Sequence, residues 1–135
     1  MSIVKQVIVM RTDLRNKDGN KVRTGKLISQ GAHAAIAFLL HTVSIDPIKV
    51  TSRIKHPQCF RTWLSQGQTK ITVGVNSESE LIELYEKAEA ANIQVEMIVD
   101  AGHTEFDGVA TRTCIAIGPF WSKEIDRITG HLKLF

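Results

Sequence analysis

Residues Ile3 to Met10 read IVKQVIVM, and this run decides what kind of fold the chain can form. Valine, isoleucine and methionine fill it except at Lys5 and Gln6, with no alternation of polar and apolar positions. A β-strand of that composition is covered on both faces rather than one. A sheet covered on both faces needs helices on either side, so the sequence beyond Met10 should alternate helices with strands. The run is interrupted by Lys5 and followed at once by RTDLR; it is too short for a membrane span and lacks a signal-peptide cleavage pattern.

The expected alternation follows. RTDLRNKDGNKVRT (11–24) is a long polar, basic loop with a DGN turn signal, and it leads into a helix from about Gly25 to His41. Thr42 to Pro57 has turn residues, Pro47 and no clear period; Gln58 to Gln66 suggests a short helix that Gly67 ends. Thr69 to Val75 reads as a second strand. NSESELIELYEKAEAAN (76–92) is a strong helix pattern, with Ser77 or Ser79 as N-cap, acidic residues in the first turn and an apolar stripe of Leu81, Leu84, Tyr85 and Ala88. Ile93 to Val99 is a third strand. Thr113 to Gly118 is a fourth, expected to end at Pro119, and Trp121 to Thr129 forms a last helix. The order implies one α/β domain over residues 1–135, with helices on both faces of a mostly parallel sheet. The last strand returns by a shorter connection, and its direction is left open.

Composition agrees with one globular domain able to bury a core without disulfides or a structural metal. Cys59 and Cys114 belong to no CxxC pair, which suggests neither zinc nor redox chemistry and makes a reduced, cytoplasmic setting the default. The net charge of +3 hides an asymmetry: residues 1–70 hold twelve Lys/Arg against three Asp/Glu, and residues 71–135 hold five against eleven. A polyanion such as nucleic acid would be drawn to the first half, above all to Arg11, Arg15, Lys17, Lys21, Arg23 and Lys26; a dipolar but inert surface is the alternative.

Two stretches carry candidate chemistry. In GKLISQGAHAA (Gly25–Ala35), Lys26, Gln30 and His33 share one narrow helical face, while Leu27, Gly31, Ala34 and Phe38 line another that can pack on a sheet. Ligands of open α/β sheets gather beyond the carboxyl ends of the strands, which here means the loops after Met10 and Val99. The first delivers Arg11, Asp13 and then Lys26; the second delivers Asp100, Gly102, His103 and Thr104. If the two strands are neighbours, a lysine, a carboxylate and a hydroxyl converge. Such a group suits ester hydrolysis by direct water attack, with Asp100 orienting the water and Lys26 stabilising negative charge. The competing reading of DAGHT is a tight turn in which Asp100 caps backbone N–H groups and Gly102 supplies a positive φ. GxSxG, HExxH, Walker A and GxGxxG are absent, and the five histidines lack metal-ligand spacing.

KQVIVMRTDL, GKLISQGAHAA, WLSQGQTKITV, DAGHT, TCIAIGP and IDRITGHLKLF, in this order and across nearly the whole chain, resemble the type 2 peptidyl-tRNA hydrolases. The resemblance implies a three-layer α/β/α domain on a four-stranded mixed sheet. It also implies an enzyme that cleaves the ester between a peptide and the terminal ribose of tRNA, recycling tRNA from stalled translation without a metal or organic cofactor. It places the catalytic lysine on Lys26, the aspartate on Asp100 and the two threonines on Thr104 and Thr113, with Thr111 the alternative to the latter. Gln30, His33, Gln68, Lys70, Arg11 and Asp13 match the family's substrate- and tRNA-binding blocks. The partner so implied is peptidyl-tRNA, with a homodimer as the possible assembly and no membrane. Four departures stand out: about six extra residues between RTDL and GKL, Thr24, Gly25 and Lys26 where KGK is common at the helix start, a second strand with Gly74 where a lysine is frequent, and one extra residue between Asp100 and the second threonine. A non-catalytic module that keeps the fold and binds tRNA or a protein is the competing class.

Overall fold

The computed structural model describes residues 2–43 and 54–135, so most of the irregular stretch expected from Thr42 to Pro57 lies outside the described residues. Four strands, β1 (Val4–Arg11), β2 (Lys70–Val75), β3 (Val95–Asp100) and β4 (Thr111–Trp121), alternate with helices α1 (Thr24–Val43), α2 (Pro57–Ser65), α3 (Glu78–Ala90) and α4 (Ser122–Thr129). The sheet order is β2-β1-β4-β3. β1 and β2 are parallel, and β4 runs antiparallel to both β1 and β3. Three strands therefore point one way, and the fourth is threaded between two of them. β1 and β3 are not direct neighbours, since β4 separates them, yet they run in the same direction and end at the same edge.

The double-sided character of IVKQVIVM is realised by strict alternation. Val7 and Val9 face one layer together with Ile115 and Ile117 of β4, against Leu81, Leu84 and Ala88 of α3 and Ile125 and Ile128 of α4. Ile8 and Met10 face the other, with Cys114 and Ala116, against Ala34 and Ala35 of α1. A fully buried aliphatic side chain contributes about 1.5–3 kcal/mol, so the first layer, which holds Leu81, Ile115, Ile117 and Ile125 at full burial, is the principal stabiliser. At the far end of α1, Phe38 meets Phe60 and Trp63 of α2 edge-on. Ser77 caps α3 by accepting the N–H of Glu80, with Glu78 and Glu80 in the first turn.

Two boundaries differ from the sequence expectation. Pro119 does not end β4, which continues to Trp121. The β1–β4 register shifts between Lys5 and Val7, and Pro119 falls within that irregularity, where the missing N–H breaks no ladder bond. Residues 133–135 add a short antiparallel segment to β2: Leu134 bridges Val73, the Gly74 N–H donates to the Lys133 carbonyl, and the Phe135 N–H donates to the Thr72 carbonyl. Gly74 is held to a hydrogen at this point because a Cβ would lie 2.8 Å from Cγ2 of Thr12. Among the described residues no helix is long and apolar enough to cross a membrane.

The small residues of α1 bring it close to the sheet, but not equally. A Cβ on Gly31 would make ordinary contact with Ile8 at 3.9 Å, whereas Ala34 is fully buried. Gly31→Ala should therefore raise stability in urea denaturation by about 0.5–1 kcal/mol through helix propensity. Ala34→Leu should lower it by about 1–3 kcal/mol through overpacking.

Candidate active site

The ends of three elements meet at one edge of the α1 layer. α1 starts there with Lys26 in its first turn, β3 ends there at Asp100, and β4 begins there at Thr111. Lys26 Nζ donates to Asp100 Oδ1 at 2.8 Å and to Thr104 Oγ1 at 3.0 Å. Gln30, one turn further along α1, donates its amide to the same Asp100 oxygen at 3.2 Å. The other oxygen, Oδ2, accepts the Gly102 N–H at 2.9 Å. One carboxylate oxygen of DAGHT thus caps the turn, and the other faces the lysine. The turn depends on glycine, because Gly102 has φ +89° and a Cβ would lie 2.4 Å from the Val109 carbonyl oxygen.

The electrostatics follow from these contacts. Burial pushes the Asp100 carboxyl up, but hydrogen bonds from Lys26, Gly102 and Gln30, together with the charge of Lys26, outweigh it and hold the group below its ordinary value of 3.8. Asp100 is therefore a carboxylate at neutral pH. Lys26 and Asp100 side chains are 16% and 13% exposed, so the pair is shielded without being sealed. Phe106 lies beneath the ammonium, its ring centroid 5.9 Å from Nζ.

Behind the pair stands a buried second row. Thr113 is fully buried and its hydroxyl donates to Gln30 Oε1 at 2.7 Å, which orients the Gln30 amide toward Asp100. The β3–β4 register shifts between Ile98, which pairs with Cys114, and Val99, which pairs with Arg112. That bulge leaves Thr113 as the extra residue, so Thr113 and Cys114 both reach Gln30, the latter through its thiol to the Gln30 carbonyl. Burial pushes the Cys114 thiol up to about 11, which excludes it as a nucleophile at neutral pH. Thr111 is partly exposed and its hydroxyl donates to the Val109 carbonyl.

The remaining sequence candidates lie elsewhere. Arg11 and Asp13 form a bidentate pair at 2.9 and 2.8 Å, and Arg11 also donates to the Arg112 carbonyl, bracing the end of β1 against β4. The hydrogen bonding of the Arg11 guanidinium to Asp13 raises the Arg11 pKa against its burial, and the same bonding lowers that of Asp13. His33 is exposed two turns along α1. Gln68 and Lys70 belong to the opposite end of the sheet: Lys70 pairs with Gln6, five residues back from Arg11, or roughly 17 Å along the strand. There Lys70 lies over the Trp63 ring at 4.8 Å and donates to the Gln68 carbonyl.

Glu105 is a residue that sequence reasoning passed over. Its side chain is only 4% exposed and pairs with Arg23 at 2.6 Å, tying the loop after β3 to the start of α1. A glutamate in a polar loop carries no signal of burial, so only the fold could reveal it. Among the described residues no group of three or more His, Cys, Asp or Glu could hold a metal ion.

The profile of the family described as "Peptidyl-tRNA hydrolase PTH2" matches residues 4–135. A peptidyl-tRNA hydrolase of Methanocaldococcus jannaschii is 40% identical over 131 residues, covering 97% of this chain and 99% of that protein. Those of Saccharolobus solfataricus and Saccharolobus islandicus are 37% and 40% identical over 132 residues, each covering 98% of this chain and 99% of its own. A match over nearly the whole length on both sides includes every element that brings Lys26, Asp100 and Thr104 together, and the chain belongs to the PTH2 family of peptidyl-tRNA hydrolases.

Proposed function

We propose that this chain hydrolyses the ester joining a peptide, or an N-blocked aminoacyl group, to the 3′ end of tRNA, and that it does so at Lys26, Asp100 and Thr104. One observation carries the reading: an ammonium, a carboxylate and a hydroxyl meet within 3.0 Å at a partly open edge of the sheet. The family membership supports the same substrate. Residues 1–135 act as one catalytic domain, in the cytoplasm where translation leaves peptidyl-tRNA.

The chemistry asks each group for a different task. Asp100, ionised, accepts a proton from a water that attacks the ester carbonyl, and the Thr104 hydroxyl holds that water in line. Negative charge then develops on the carbonyl oxygen, where the Lys26 ammonium stabilises it. The bond from the carbonyl carbon to the ribose oxygen breaks, and the proton held by Asp100 passes to that oxygen, leaving a free acid and tRNA with its terminal hydroxyl. Gln30 and Thr113 are positioning residues that hold the Asp100 carboxylate. Arg11 and Asp13, which brace the end of β1 against β4, are assigned to substrate binding outside the reacting groups. His33, Gln68 and Lys70, set away from the reacting groups, are assigned to the body of the tRNA, to which the basic first half of the chain is attracted without reading bases.

The assembly is inferred to be a homodimer. Ile28, Ile36 and Leu40 of α1 are 67%, 48% and 56% exposed and share a stripe with exposed Ala32 at four-residue spacing, an apolar face that a second copy would cover. Sedimentation equilibrium should give twice the chain mass for the native protein and a monomer for Ile36→Lys; a monomeric native protein removes the inference.

The decisive assay follows deacylation of an N-acetylaminoacyl-tRNA with chelator present. The native protein should turn over, Asp100→Asn should lose about 10²–10⁴-fold in kcat and Lys26→Ala about 10²–10³-fold. No deacylation above the uncatalysed rate would sink the reading, and tight tRNA binding without turnover would point instead to a non-catalytic module. The pH dependence has a defined sign. With its pKa lowered, Asp100 keeps its charge, and the stability gained from its partners, above the ordinary carboxylate range and loses both only as pH falls through its folded value. The acid limb of kcat/KM for the native enzyme should lie below pH 3.8, and the limb for residual activity in Lys26→Ala should move upward because burial then acts without its main opponent.

A further inference from the structure

The residues between RTDL and GKL form a small hairpin. Arg15 bridges Lys21, the Asn16 N–H donates to the Asn20 carbonyl, and the Asn16 side-chain oxygen accepts the N–H groups of Asp18 and Asn20. The hairpin does not stand away from the molecule. The Lys17 N–H donates to the Glu105 carbonyl at 3.2 Å, and Arg23 at the hairpin's return holds the buried Glu105 carboxylate. Between the hairpin and the loop after β3 lies a depression of about 190 Å³ lined by Asn16, Lys17, Asp18, Arg23, Thr104 and Glu105.

We infer that this depression is the binding site for the last internucleotide phosphate of the tRNA acceptor strand, with Lys17 as its principal cation. The inference rests on the proposed reaction at Thr104 and goes beyond it by giving the hairpin a partner. Thr104 borders the depression while its hydroxyl meets Lys26, so the cavity adjoins the reacting groups. The scissile ester sits on the terminal ribose, and the phosphate on the 5′ side of that ribose is one sugar away. Lys17 is exposed and has no carboxylate within ion-pairing distance among the described residues, so its charge is available. Of the two acids in the lining, Glu105 is neutralised by Arg23, and Asp18 is exposed and opposes an anion. That opposition gives two adjacent hairpin residues effects of opposite sign, which a scaffold role would not produce.

Lys17→Ala should raise KM for N-acetylaminoacyl-tRNA about three- to tenfold with kcat within twofold, Lys17→Arg should restore it, and the slope of log KM against log salt should fall by about 0.7–0.9. Asp18→Asn should lower KM. Affinity for deacylated tRNA, read by fluorescence anisotropy, should follow the same order, so the site is tested even if the native protein shows no turnover, the result that would instead remove the hydrolase reading. An unchanged KM, affinity and salt slope in Lys17→Ala, or changes of the same sign in Lys17→Ala and Asp18→Asn, would overturn the inference.

Discussion

A carboxylate drawn partly out of water must be compensated from nearby, and at Asp100 the compensation comes from three separate parts of the chain. The Gly102 N–H is local, Lys26 and Gln30 come from α1, and Thr113 reaches the carboxylate through Gln30 from β4. None of these groups does its work unless the sheet order is right, because β4 must lie between β1 and β3 to put Thr113 under the helix. Satisfying one acid group thus fixes where α1 begins, how the loop after β3 turns and where β4 bulges. A buried polar row of this kind is costly when half satisfied, which ties the accuracy of the site to the integrity of the fold.

The charge asymmetry of the sequence becomes a division between faces. The acids of α3 lie on the side of the sheet away from α1, while Arg15, Lys17, Lys21, Arg23 and Lys26 gather around the start of α1. Such a separation of charge is the pattern that favours a polyanion on the α1 layer over the α3 layer. Within Debye range this is an effect on encounter more than on chemistry.

Much of this was legible in the residues. The unbroken apolar run of β1 demanded cover on both faces, and Ser77 with its acidic first turn announced α3. The pairing of Lys26 with Asp100 was readable because both follow the carboxyl ends of strands, where ligands of such sheets gather. Other features could not be read. Pro119 looked like a stop because its missing N–H matters only if a partner needs it, and the register shift that removes the need is a property of two strands together. The resemblance singled out Thr113, but the bulge that turns it toward Gln30 depends on β3 and could not be read from one strand. Burial of Glu105 had no local signature at all.

The short segment 133–135 along β2 has a consequence of a different kind. A parallel β-sheet that stops at an unpaired strand presents a row of free N–H and C=O groups to any other extended chain. Here the Gly74 N–H and the Thr72 carbonyl on that row are already taken, by Lys133 and Phe135. The molecule spends its own backbone as a guard rail: around Thr72 and Gly74, the edge of a protein that meets half-made polypeptides at work is already paired with its own chain.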